Sequence, residues 1–200
     1  MNTAITGAIV TVLSLSLPVV AATTIRYQVK GQSASAYFSQ MDECIQKNIQ
    51  VFVFANMTKV GLGSPTQQME VNVGYDNYNY CTGTYSGGFG SSPNAKFTID
   101  NRLNSATLTG TFTIVDSVAN TTETVEVNLA WAGTGIVTKN KSSFVYRTPT
   151  SATRLRGLSE NRIAQVSGSV ILDSIDLTDN TISDGSLSSY ANGTLERIKK

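Results

Sequence analysis

A tyrosine-rich stretch holds the side chains best suited to ligand chemistry. Aromatic rings can lie against sugar rings, and amides and carboxylates can hydrogen-bond to sugar hydroxyls. Fifteen consecutive residues combine both types, namely Tyr75, Asp76, Asn77, Tyr78, Asn79, Tyr80, Tyr85 and Phe89. The composition predicts a glycan-binding surface whose contact residues are Tyr78, Asn79, Tyr80 and Tyr85. The alternative is that alternate tyrosines of a strand pack on the sheet with their hydroxyls at its rim.

Catalysis by most familiar residue sets is excluded because the chain contains no histidine. Ser-His-Asp and Cys-His nucleophiles and His-ligated metals are therefore absent, and no phosphate-binding or dinucleotide motif is found. Two facing carboxylates can still cleave glycosides. The loop candidates are Asp42, Glu43, Asp76, Asp100 and Asp116, but nothing in the sequence pairs any two of them. We predict no catalytic residue.

Charge is uneven along the chain, although the formal net charge is only +1. The segment 139–162 carries Lys139, Lys141, Arg147, Arg154, Arg156 and Arg162 against Glu160 alone. It could face an anionic polymer or lipid headgroups, but the simpler expectation is pairing with Asp173, Asp176, Asp179 and Asp184. These acids also make calcium a candidate ion, yet EF-hand spacing is absent, so no metal site or cofactor is predicted. The small net charge argues against nucleic acid as a partner.

The element that must position these residues is a hairpin between Leu103 and Gly135. Its two halves alternate apolar and polar residues with the period of a strand. The apolar positions of the first half are Ala106, Leu108, Gly110, Phe112 and Ile114. Those of the second half are Val125, Val127, Leu129 and Trp131. Residues 116–121 supply the turn. Such a hairpin needs a second layer over its apolar face.

Further strand patterns occur along most of the chain. They cover 25–29, 33–38, 48–55, 68–75, 95–100, 144–147, 152–157, 162–172, 186–191 and 194–198. Residues 83–93 read as a loop, and Asn192-Gly193 is the strongest hairpin-turn signal. No helical stripe of useful length is found. The pattern predicts an all-β antiparallel sandwich, of which a jelly roll is one form, with nine to eleven strands.

Export is predicted from the first 22 residues. An apolar run from Ala8 to Val20 is followed by small residues at a cleavage position, although no Lys or Arg precedes the run. Residues 23–200 then form one domain, secreted and without a membrane span, and the alternative is that the apolar run stays as an uncleaved membrane anchor. The two cysteines of an exported chain favour one disulfide, with a pair of free thiols as the alternative.

Several of these stretches together resemble a loose family of small secreted bacterial β-sandwich proteins with no assigned function. The matching motifs are ASAYF at 34–38, Cys44, VNVGYDNYNYCTG at 71–83, LNSATLTGTFTIVD, VEVNLAWAGTG, and RIAQVSGSV at 162–170. The resemblance implies a shared β-fold with a Cys44–Cys81 bridge, and it carries no catalytic residues.

The functional hypothesis is a secreted, non-enzymatic β-protein that binds an extracellular glycan or a surface protein. Two alternatives stay open. One is a structural or adhesive module, which a large exposed apolar patch would favour. The other is a carboxylate-dependent glycan-cleaving enzyme, which requires two carboxylates across a cleft.

Overall fold

The computed structural model describes residues 23–92, 94–116, 118, 120–172, 174–179 and 181–198. The predicted export signal, 1–22, lies outside them. These residues form eleven antiparallel strands and no helix. The strands are β1 (Thr23–Asp42), β2 (Ile45–Val60), β3 (Thr66–Asn79), β4 (Thr84–Ser91), β5 (Lys96–Ile99), β6 (Ser105–Asp116), β7 (Thr122–Gly133), β8 (Thr138–Arg147), β9 (Ser151–Leu172), β10 (Ile175–Asp176) and β11 (Ile182–Ile198). The predicted all-β class, antiparallel pairing and strand number are confirmed.

The predicted hairpin is β6 paired with β7, and its alternation is confirmed. Its apolar residues face inward, where Leu108, Phe112 and Val125 are fully buried. The indole N–H of Trp131 donates to the carbonyl of Ser35 on β1, at 2.7 Å. This bond ties the hairpin to the opposite side of the core.

The covering layer comes from the same sheet, which closes on itself. β7 pairs with β9 as well as β6, so β1, β2, β3, β4, β6, β7, β9 and β11 form a closed ring. Inside it, alternate residues of seven of the eight strands, all but β4, contribute to one packed hydrophobic core. We call this part of the molecule the ring.

Beyond the ring, six strands continue as one unclosed layer, which we call the open sheet. It consists of β8 and of residues 151–161, 188–198, 23–33, 54–60 and 66–70, in that spatial order. Pairing register is unbroken between these strands, so each residue's face follows from its parity. The inner face continues the core side of the ring, and the outer face continues its solvent side.

Three local predictions are wrong, which are the interruption between strands 25–29 and 33–38, the loop at 83–93 and the turn at Asn192-Gly193. All three fail for the same reason. β1 runs unbroken through Lys30 and Gly31, residues 84–91 form β4, and β11 runs through Asn192 and Gly193. Gly193 pairs with Gln28 on one side and Arg156 on the other. Hydrogen bonding from both neighbouring strands outweighs a local turn preference, because a turn would leave those backbone groups unpaired.

The Cys44–Cys81 disulfide is present, with a Cα–Cα distance of 5.4 Å. It joins the turn between β1 and β2 to the turn after β3, at one end of the ring. The pairing confirms the expected bridge and indicates an oxidising compartment.

Candidate functional site

The structure brings the predicted tyrosines together at the end of the ring that carries the disulfide. Tyr78 and Tyr85 are paired across β3 and β4, and Tyr78, Tyr80 and Tyr85 are 36%, 54% and 50% exposed. The rings of Tyr78 and Tyr80 meet edge to face, with centroids 4.6 Å apart and planes at 81°. Exposed rings are available to a ligand, but this pair does not form one flat platform.

Asn79 has a structural role in the turn that follows β3. Its side-chain oxygen accepts hydrogen bonds from the backbone N–H groups of Cys81 and Thr82, at 2.9 and 3.1 Å. This arrangement stabilises the turn between β3 and β4. The Tyr80 hydroxyl donates to Gln46 at 2.6 Å.

Two of the candidate carboxylates, Asp100 and Asp116, serve turns and the edge of the core. Asp116 is 4% exposed, and its side chain accepts from the backbone N–H of Val118 at 2.7 Å. Asp100 accepts from the backbone N–H of Asn104, and this bond is the main reason that the pKa of Asp100 is lowered. No group of three His, Cys, Asp or Glu residues suited to a metal ion occurs among the residues described.

The inner face of the open sheet gathers most of the positive charge. The chain has 15 lysines and arginines, of which Lys199 and Lys200 lie outside the described residues. Ten of the others lie on the inner side of the open sheet or, for Arg162, at its boundary with the ring, whereas Lys47 lies at the far end of the ring and Lys96 and Arg102 lie in or near β5. We call this surface the basic face. Its cations are Arg26, Lys30, Lys59, Lys139, Lys141, Arg147, Arg154, Arg156, Arg162 and Arg197.

Acidic residues are almost excluded from this face. Among the described residues of the open sheet, Glu160 is the one acid on the inner face, and it pairs with Lys139 at 2.6 Å. The expected pairing of the basic segment with Asp176, Asp179 and Asp184 is not found there, since Lys139–Glu160 is the ion pair seen among the described residues. Asp173 lies outside the description. Most cations of the face are therefore solvated rather than paired.

A pocket of about 620 Å³ opens on the basic face, and we call it the cationic pocket. Its lining includes four cations from three strands, which are Lys30, Lys141, Arg154 and Arg156. Gly193 lies at its floor, where an added Cβ would meet nothing within 4 Å. The missing side chain leaves the sheet accessible between the cations.

A second pocket of about 750 Å³ lies next to it, towards the ring. It shares Lys30, Leu158 and Ala191 with the cationic pocket, and its other lining combines amide with apolar side chains. Met57, Met69 and Phe97 line it together with five amide side chains, so we call it the mixed pocket. The described lining of the two pockets contains no carboxylate.

Arg162 lies at the boundary between the ring and the open sheet, where it has a structural role. Its guanidinium donates to the side-chain oxygen of Asn104 at 2.6 Å and to the carbonyl of Leu103 at 3.4 Å. It thereby holds the turn before β6 against β9. This cation is engaged, unlike those around Gly193.

The sequence signal for this site was alternation of charge within strands. Lys139 and Lys141 are two residues apart, as are Arg154 and Arg156, which places each pair on one face of a strand. The sequence indicates this segment but not its continuation on β11, β1 and β2. Arg26, Lys30 and Arg197 join it only through pairing between strands distant in sequence.

Comparison with known proteins leaves the family open. No protein-family model and no curated protein matches the chain. A solved structure of a Nitrosomonas europaea protein provisionally named AttH is similar at 9% identity and a TM-score of 0.36. The match covers 86% of this chain, which spans about half (52%) of that one. Within the described residues, no helix is long and apolar enough to cross a membrane.

Proposed function

We propose that the protein is an extracellular, non-enzymatic binding module whose basic face binds an acidic carbohydrate. The observation that carries this proposal is the segregation of ten cations on one face with a single, already paired acid. Like charges crowded on one surface raise the energy of the fold unless an anion binds them. A surface that keeps them is therefore best explained by an anionic ligand.

Carbohydrate is favoured by the neutral side chains between the cations. Gln28, Gln32, Ser143 and Ser189 have the same parity and line the two pockets. Their amides and hydroxyls can exchange hydrogen bonds with sugar hydroxyls, while Lys and Arg meet the acid groups. The disulfide agrees with an oxidising, extracellular location.

The basic face is also large enough for a polymer. Six neighbouring strands at a spacing of about 4.8 Å make it roughly 24 Å wide. Cations occur on five of those strands, from β2 to β8. An extended acidic chain can therefore contact several cations at once, and its affinity should fall with rising salt.

Retention on immobilised polysaccharides tests this function. We expect residues 23–200 to bind sulfated heparin and carboxylated alginate, to elute with added salt, and to pass through neutral dextran. Lys141→Gln combined with Arg154→Gln should elute at clearly lower salt. The matched control, Lys96→Gln with Arg102→Gln, removes the same charge away from the face and should elute like the parent protein.

Three results would refute the acidic-carbohydrate proposal. They are no retention on either acidic matrix, an equal shift for both double variants, and displacement by a single-stranded oligonucleotide at much lower charge concentration than by alginate. Tyr80→Ala in the same assay tests the predicted tyrosine site. A loss of retention with this variant would add the tyrosine end of the ring to the binding surface.

A structural or adhesive role is the second candidate, supported by the outer face of the open sheet. Phe144, Tyr146 and Leu155 are 58%, 56% and 41% exposed there, on the neighbouring strands β8 and β9. Exposed apolar groups of this kind favour association. Sedimentation velocity of the parent protein and of Phe144→Ser with Tyr146→Ser would test it. Concentration-dependent assembly that the double variant abolishes would support adhesion, and a monomer throughout would exclude self-assembly.

A further inference from the structure

Gly193 is surrounded by cations of the basic face on both neighbouring strands. It lies opposite Arg156 of β9, and its diagonal neighbours include Arg154 on β9 and both Arg26 and Lys30 on β1. Diagonal neighbours on one face of a sheet are about 7–8 Å apart, so long cationic side chains from both strands can reach a group above Gly193. The glycine leaves that space open, because an added Cβ would meet nothing within 4 Å.

The cations that line the cationic pocket are available to a ligand. Among the described residues, none of Lys30, Lys141, Arg154 and Arg156 forms an ion pair, and the described lining of the pocket contains no carboxylate. Lysine and arginine side chains donate hydrogen bonds and accept none, so these four cannot bond to one another. Their donors therefore remain for water or for an anion.

The charge of the pocket favours an acid group with two negative charges. A carboxylate or a sulfate ester carries one charge, whereas a phosphate monoester carries about 1.5–2 at pH 7 and offers three acceptor oxygens. In a pocket with four cations and no carboxylate in its described lining, the second charge gains attraction from each cation. Guanidinium groups also bind phosphate oxygens through paired hydrogen bonds.

Neutral side chains of the same pocket can bind the rest of the ligand. Gln28 lies opposite Gly193 on β1, and Ser143 lies opposite Arg156 on β8. An amide and a hydroxyl each donate and accept hydrogen bonds, which matches the hydroxyl groups of a sugar. The pocket volume of about 620 Å³ lies within the range of small-molecule sites. Space therefore remains for a hexose beside the phosphate.

We propose that the cationic pocket binds a sugar that carries a phosphate monoester, with the phosphate above Gly193 and the sugar hydroxyls towards Gln28 and Ser143. This inference rests on the proposed function, because it uses the same basic face. It adds the identity of the preferred acid group, which is a dianionic phosphate ester rather than a sulfate ester or a carboxylate.

The absence of histidine from the chain allows the charge of the ligand to be tested by pH. Histidine is the side chain whose ordinary pKa lies between pH 5 and 8. The acid of the inner face, Glu160, is paired with Lys139. The charge around the pocket should therefore stay nearly constant between pH 5 and pH 7, whereas the charge of a phosphate monoester changes, since its second pKa is about 6. The cations nearest the pocket are Arg26 and Lys30 of β1, Lys59 of β2, Lys141 of β8, Arg154 and Arg156 of β9, and Arg197 of β11.

Three hexoses that differ in one acid group test the proposal, namely glucose 6-phosphate, glucose 6-sulfate and glucuronate. Each is titrated into residues 23–200 at low salt, and the amide chemical shifts measure the affinity and locate the site. At pH 7 we expect glucose 6-phosphate to bind about fivefold tighter than the other two, because several cations at about 7 Å attract its extra charge. At pH 5, where about nine-tenths of the phosphate carries a single charge, this difference should nearly vanish.

Gly193→Phe provides the decisive variant, because it fills the space above the sheet without changing any charge. The position has open space and no positive φ, so the fold should tolerate the ring, as circular dichroism can verify. We expect a loss of affinity for glucose 6-phosphate of about tenfold, because charge-assisted hydrogen bonds are lost. The control Asn140→Phe adds the same ring to the outer face of β8 and should bind like the parent protein.

Arg156→Gln repeats the test without adding bulk to the pocket. We expect it to weaken the binding of glucose 6-phosphate at pH 7 by about threefold, because one neighbouring cation of the phosphate is removed. Arg102→Gln removes the same charge away from the basic face and should leave the affinity unchanged. An equal affinity of these two variants would overturn the pocket even if Gly193→Phe failed to fold.

The outcomes separate this inference from the proposed function. Equal binding of the phosphate and sulfate sugars at pH 7, binding of the phosphate sugar that does not weaken at pH 5, or equal affinity of the two phenylalanine variants would each overturn the phosphate site. If heparin and alginate are still retained in that case, the basic face keeps its proposed function. A preference for phosphate without retention on either matrix would refute the binding of acidic polysaccharides and still support the pocket.

Discussion

Replacing Arg156 with glutamine should stabilise the fold at low salt, because its nearest charged neighbours are cations. Arg154 lies two residues along β9, and Lys141 is diagonal to Arg156 on β8. Both are roughly 7 Å away. Two like charges at that distance repel by about 0.6 kcal/mol in water. We therefore expect Arg156→Gln to raise the free energy of unfolding by about 1 kcal/mol at 10 mM salt.

Salt provides the internal check on this prediction. The Debye length is about 30 Å at 10 mM ionic strength and about 3 Å at 1 M, so the gain should almost vanish at 1 M sodium chloride. Urea unfolding of both proteins at the two salt concentrations measures it. Arg102→Gln is the matched control, because Arg102 lies near Asp100 and helps to lower its pKa. The free energy of unfolding of that variant should not rise at either salt concentration.

Repulsion between these cations is refuted if Arg156→Gln is no more stable than the parent protein at 10 mM salt. It is refuted equally if the gain in stability persists at 1 M, because salt must screen an effect of repulsion. Either result would mean that the cations are not crowded on one face. The observation that carries the proposed function would then be lost.

Three further predictions concern the ring. Trp131→Phe removes a buried hydrogen bond to a β1 carbonyl and should lower the free energy of unfolding by about 1–3 kcal/mol in urea. Burial and the bond to Glu123 raise the pKa of Tyr75 above 10.0. The folded state therefore holds this proton longer than the unfolded state, so stability is complete below pH 10 and falls above it by up to about 1.4 kcal/mol per pH unit. Tyr75→Phe should lack this slope when urea midpoints at pH 9 and pH 11 are compared. Reducing Cys44–Cys81, which are 37 residues apart, should cost up to about 4 kcal/mol in the chain-entropy estimate, measured by urea unfolding with and without dithiothreitol.

Local patterns explain which features could be predicted. The β6–β7 hairpin alternates with period two over its whole length, so its buried face could be assigned residue by residue. The cysteine pair could be assigned because only one pairing exists. The strands through Gly31 and Gly193 could not, because glycine is a local turn signal and the pairing that keeps it extended comes from distant segments.

The sequence by itself determined the all-β class, the buried face of the hairpin and the disulfide, because each depends on local periodicity or on a unique pair. Only the tertiary structure decided the closure of the ring and the site. A net charge of +1 conceals a face with ten cations, because strand parity and register distribute charge, and register between β1, β8, β9 and β11 is a long-range property. The same register places Gly193 between Arg156 and Gln28, where a predicted turn became the floor of a pocket.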